Sequence, residues 1–199
     1  MGLREVFDDI LKNYLLEIQQ GKFNKQHRMF KVINYQSKEV LEEIIGNQML
    51  KVKGSCGAGQ WTRYPWIAIY NEEVTTTIQE GVYIVYLFSE DMSRLYLTLN
   101  QGCTNLKNKL GTKAAKEKMK EVRETIRLHM QQNSFNEDNN LEIGNIDYEV
   151  GSIFYKVYEQ HHLPNEEILQ SDLKKLIALY ERYYHEIYEE QNHKKALVQ

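Results

Sequence analysis

The feature that most constrains this chain is a pair of β-runs, VYIVYLF at 82–88 and RLYLTL at 94–99, joined by SEDMS. Both runs are rich in β-branched and aromatic residues and the segment between them is turn-forming, so they predict an antiparallel hairpin. Around the hairpin the period becomes helical. Leu3, Val6, Phe7, Ile10, Leu11, Tyr14, Leu15 and Ile18 recur in a 3-4-3-4 rhythm that ends near Gly21. Pro164 and Asn165 open a last long helix, with Leu169, Leu173, Leu176, Ile177, Tyr180, Tyr184 and Ile187 on its inner face.

Between these anchors, Ser37 is placed to N-cap a helix over Lys38–Ile45 that stops at Gly46. Trp66–Tyr70 has the apolar density of a short buried strand. Residues 105–132 return to a helical period, with Leu106, Leu110, Ala114, Met119, Val122 and Ile126 broadly on one side. GSCGAGQ at 54–60 is expected to be a flexible loop, QQNSFNEDNN at 131–140 a polar one, and Asp147–Val157 a further strand. No βαβ alternation and no internal repeat occurs. The expected fold class is α+β: a small mixed or antiparallel, partly barrel-like sheet covered by amphipathic helices, in one domain over 1–190 with a frayed tail at 191–199.

Composition bounds the function. With 42% hydrophobic and 27% charged residues, the chain reads as a soluble globular protein. No run approaches the roughly 18 apolar residues of a membrane span, and Arg4, Glu5, Asp8, Asp9 and Lys12 interrupt the N-terminal apolar residues, so neither a membrane partner nor export is expected. The expected location is cytoplasmic. Cys56 and Cys103 lack a second Cys or a His at metal-ligand spacing, and the adjacent His161 and His162 point to opposite faces in extended backbone. No metal and no cofactor is expected.

The net charge of -3 conceals a strong asymmetry: residues 105–132 hold eight Lys and Arg against three Asp and Glu, whereas residues 133–199 hold six against thirteen. In one continuous helix Lys109, Lys113, Lys116, Lys120, Arg123 and Arg127, spaced 4-3-4-3-4, fall within about 40° of one another and form a stripe about 27 Å long. Such a stripe is predicted to grip the phosphates of a duplex. Beside the Gly-rich loop, Ser55, Gly57, Gly59, Gln60, Trp61, Arg63, Tyr64 and Trp66 combine hydrogen-bonding and stacking groups fit to read a base edge or sandwich an extruded base. The loop is not a P-loop, because no G-x-x-x-x-G-K-[ST] occurs in the chain. Asp147 and Glu149 are the nearest candidates for a nuclease metal site, but no Lys follows two residues on. The acidic, tyrosine-rich C-terminal helix offers a rival reading, a surface for a protein partner.

From Gly54 to Gly102 the chain strongly resembles the N-terminal domain of McrB-like restriction proteins. The resemblance is carried by Gly54, Ser55, Gly57, Gly59, Trp61, Pro65, Trp66 and Ile67, then Thr75, Gln79, Gly81, Tyr83, Val85, Tyr86, Leu87 and Phe88, then Tyr96, Leu97, Leu99, Asn100, Gln101 and Gly102. The stretch from Gly151 to Tyr158 and LPNEEILQSDLKKLIALYERY are similar to the family's closing elements, so the likeness covers about residues 1–190. It implies a non-catalytic module of a phage-defence restriction system that recognises duplex DNA, methylated or otherwise modified or of specific sequence. The motor, an AAA+ GTPase, and the nuclease would be supplied elsewhere, in cis or in trans, since no Walker A motif is present.

Overall fold

A computed structural model of the chain describes residues 1–131 and 133–197. Gln132, in the predicted helix 105–132 and the loop 131–140, and Val198 and Gln199, in the expected tail, lie outside the described residues. The chain begins with helix α1 (Leu3–Gln20) and a second helical stretch made of α2 (Arg28–Lys31), one π-helical turn over Val32–Gln36, and α3 (Ser37–Ile45). Five strands and five further α-helices follow: β1 (Leu50–Ser55), β2 (Trp66–Asn71), β3 (Val82–Phe88), β4 (Arg94–Gln101), α4 (Thr104–Leu110), α5 (Thr112–His129), α6 (Ile146–Gly151), β5 (Phe154–Glu159), α7 (Glu166–Tyr183) and, after a second π turn, α8 (Glu189–Leu197).

The strands form one antiparallel sheet in the order β1-β2-β3-β4-β5. The α+β class holds, but the sheet is open at β1 and β5 rather than closed toward a barrel. One face carries Leu50, Val52, Ile67, Ile69, Ile84, Tyr86, Phe88, Leu95, Leu97, Leu99, Phe154 and Tyr158, which form a single core with the inner residues of α1, α2, α3 and α7. The other face carries Ala68, Tyr83, Val85, Leu87, Tyr96 and Tyr155 and is covered by Leu141, Ile143 and the half-buried Tyr148. Every residue of β3 is buried, because both of its faces are covered.

Four local expectations change. Ser37 is not an N-cap: the helix begins earlier, and the Ser37 hydroxyl, fully buried, donates to the Ile33 carbonyl at 2.6 Å. Gly54 is not in a loop but in β1, where a Cβ would stand 1.9 Å from the Ile33 carbonyl oxygen, so glycine there admits the π turn against the strand. The helix expected over 105–132 breaks at Gly111, whose φ of +79° favours glycine and whose N–H closes α4 on the Lys107 carbonyl at 2.8 Å. Finally, the strand expected at Asp147 starts only at Phe154. Asn145 accepts from the Asp147 N–H and caps α6 in its place, with Asp147 and Glu149 in the first turn. The C-terminal residues expected to fray continue as α8 to Leu197, with no buried side chain.

Candidate nucleic-acid interface

The break at Gly111 and the packing of α5 divide the predicted cationic stripe. Lys109 belongs to α4, Lys113, Lys116 and Lys120 remain on the outer part of α5, and Lys120 is paired with Glu117 at 2.9 Å. Arg123 and Arg127 lie on the inner side with Ala115, Met119 and Ile126, their side chains only 8% exposed. Arg127 donates to the carbonyls of Ile153 at 2.7 Å, Asp138 at 3.2 Å and Ser152 at 3.4 Å, and to the Asn139 side chain at 3.1 Å. Arg123 reaches the Val150 carbonyl at 3.3 Å. Burial, then the neighbouring Arg123, lowers the Arg127 pKa from its ordinary value. These two arginines, expected at phosphates, instead hold the segment before β5 to the helix.

The loop residues also separate. Trp61 turns to the helix-covered side, donating from Nε1 to the Gly21 carbonyl at 3.0 Å and meeting Phe23, His27 and Tyr14 edge-on. Tyr14 anchors the same loop by donating to the Thr62 carbonyl at 2.6 Å, so the segment expected to be flexible is tied down. Gly57 makes the tight turn, where a Cβ would meet the Gln60 carbonyl at 1.9 Å, while Gly59 and Gln60 are exposed. Arg63 pairs with Glu90 at 2.5 Å, and Tyr64 donates to the Gly144 carbonyl at 2.8 Å, which ties the loop to the covering segment. Ser55 and Trp66 are register partners on the less covered face of the sheet.

That face holds what the sequence reading missed. The alternation of β1 places Lys51 and Lys53 on the same side as Ser55, opposite Tyr70, Ala68 and Trp66 of β2. The signal was present in LKVKGS, but two apolar residues in a short run ahead of glycines are a weak strand pattern. Next to these residues a cavity of about 210 Å³ is lined by Trp66, Tyr83, Tyr148, Ile78 and Val85, with Gln79, Gln101, Cys103, Thr104 and Asp147 as its polar members. Tyr83 donates to the Ile78 carbonyl at 3.0 Å and Gln101 to the Met119 carbonyl at 3.0 Å. Burial pushes the Tyr148 phenol up to about 12, and burial followed by the Asp147 charge raises the Cys103 thiol, while the cations Lys107 and Lys116 act on it in the opposite sense. The acidic C-terminal region meets α5 at its far end, where Glu186 stands 3.9 Å from His129, about 20 Å along the helix from Lys116.

The carboxylates considered for a nuclease are engaged locally. Lys107 donates to Asp147, and Glu149 accepts from the Ile143 and Gly144 N–H groups at 2.9 Å each. Among the described residues no three His, Cys, Asp or Glu side chains are grouped to hold a metal ion, and no helix is long and apolar enough to cross a membrane.

Residues 9–185 match the family model described as MrcB-like, N-terminal domain. The chain belongs to that family. The match runs from within α1 to the second π turn, so the sheet, the cavity and the lysines of this MrcB-like domain all fall inside it. No curated protein matches the chain.

Proposed function

We propose that this MrcB-like domain is a DNA-recognition module without chemistry of its own, serving a restriction system whose motor and nuclease lie elsewhere. The observation that supports the reading best is the less covered sheet face, where an aromatic cavity lies beside Trp66, the register partner of Ser55 on the strand that carries Lys51 and Lys53. Lys51 and Lys53 on β1, Lys109 on α4 and Lys113, Lys116 and Lys120 on α5 supply sequence-independent attraction to phosphates. The cavity walled by Trp66, Tyr83 and Tyr148 supplies a receptor for one extruded base, methylated or otherwise modified, stacked on aromatic rings. Positioning and reading then belong to different residues.

Anisotropy titrations of unmodified and cytosine- or adenine-methylated duplexes test this directly. If Lys51, Lys53, Lys113 and Lys116 each meet a phosphate, log K falls with log salt at a slope of about -3.6, and reversing all four charges abolishes binding. Unchanged affinity in that variant overturns the reading. A partner-binding role is favoured by one observation, that α8 extends from the domain with no side chain buried; undiminished DNA affinity after truncation at Tyr188 assigns α8 to that separate task.

A further inference from the structure

Asp147 lines the cavity with part of its hydrogen-bonding capacity unused. One of its oxygens accepts from Lys107, while Oδ1 is buried and has no hydrogen-bond partner among the described residues. A carboxylate has about four lone-pair sites and this one uses a single bond, so it retains the capacity to accept from a ligand. Its terminal torsion is broad, so rotation about it re-aims the carboxylate oxygens. The Tyr83 hydroxyl and the Gln101 amide, also in the lining, both donate to backbone carbonyls. The volume of about 210 Å³ equals that of about seven liquid waters, room for one heteroaromatic ring between Trp66, Tyr83 and Tyr148.

We propose that Asp147 is the specificity-determining residue of the cavity and selects a base bearing an exocyclic amino group. The inference rests on reading the cavity as a base receptor. The Asp147 carboxylate presents an acceptor and the Lys107 ammonium beside it a donor. Cytosine offers the matching order, an N4 amino donor next to the N3 acceptor, and adenine offers N6 next to N1. Thymine and uracil offer the reverse: O4 turns lone pairs toward the carboxylate and N3–H faces the ammonium. Asp147 also sits in the first turn of α6, whose N-cap Asn145 holds its backbone, so the carboxylate is carried on a fixed element rather than on a free loop.

The experiment uses the full chain and duplexes carrying one unpaired nucleotide, dC, dA, dT or dU, which removes most of the cost of extrusion. The wild-type protein is expected to bind the dC and dA bulges about tenfold more tightly than dU, the ratio that corresponds to about 1.4 kcal/mol. Asp147→Asn, whose amide can donate to O4, is expected to shift the preference toward dU and dT. This inversion is not produced by a merely structural loss. Lys107→Met, which removes the ion pair and keeps the carboxylate, is expected to retain a preference for dC over dU. Equal wild-type affinity for all four bulges, together with weakening of all four by Trp66→Ala, overturns the role of Asp147 and leaves the cavity reading intact. If neither the bulge nor Trp66→Ala alters affinity relative to a fully paired duplex, the cavity reading itself fails. The wild-type comparison needs no variant, so it decides the matter even where Asp147→Asn does not fold.

Discussion

The two faces of the sheet use the same five strands for opposite purposes. On the helix-covered face aliphatic and aromatic side chains such as Ile67, Ile84, Leu97 and Phe154 are fully buried, and three helical elements leave them no route to water. On the other face a short segment around Leu141 and Ile143 packs with buried residues from β3 to β5, and at the β1–β2 side Lys51 and Lys53 stand beside the half-buried Trp66 and Tyr70. The difference teaches that alternation along a strand can leave one side of it exposed behind a conventional core. In β1 one residue in two joins the core, while Lys51, Lys53 and Ser55 stay at the surface.

The largest effect should come from the covered face. Leu97→Ala is expected to cost about 2–5 kcal/mol in thermal or urea unfolding, through lost burial and a cavity, with unchanged DNA affinity per folded molecule. A loss of affinity without loss of stability would break the division between the faces. Arg127→Met is expected to cost about 3 kcal/mol, because it strips donors from three backbone carbonyls, while leaving the salt slope of DNA binding unaltered. Gly54→Ala forces a methyl group onto the Ile33 carbonyl and should cost about 1–3 kcal/mol by overpacking, seen as a lower unfolding midpoint.

On the other face the signs reverse. Lys51→Glu with Lys53→Glu is expected to change stability by no more than about 0.5 kcal/mol per site, yet to lower the magnitude of the salt slope by about 1.8. The smallest effect concerns the β3–β4 turn shared by both faces. The Ser93 backbone and hydroxyl, with Ser89, hold the Asp91 carboxyl down to about 2 from its ordinary 3.8. A depressed folded-state value means stability that is present above pH 3.8 and lost as pH falls toward 2. Asp91→Asn should therefore flatten the acid limb of the stability curve in that window and leave neutral-pH DNA binding untouched.

The hairpin, the first and last long helices and the α+β class were all legible in the order of the residues, because period-2 and period-3.6 patterns are set by neighbours along the chain and need no tertiary context. The family was legible for a similar reason, in the succession of glycines, tryptophans and strand residues from Gly54 to Gly102. Of the site proposed above, Ser55, Trp66 and the α5 lysines stand out in the residue order, whereas Lys51, Lys53 and the cavity around Tyr83, Tyr148 and Asp147 do not. What the chain order could not determine was which cations face water. Arg123 and Arg127 share the spacing of Lys116 and Lys120, and only the carbonyls of Val150, Ser152 and Ile153, brought beside α5 from more than twenty residues away, draw them inward. Likewise Gly111 breaks a helix whose flanks both favour it, and Trp61 packs against Phe23 and His27 instead of standing free. Local spacing is a property of sequence; burial belongs to the partners that folding brings together, and in this domain burial separates the arginines that brace it from the lysines left facing solvent.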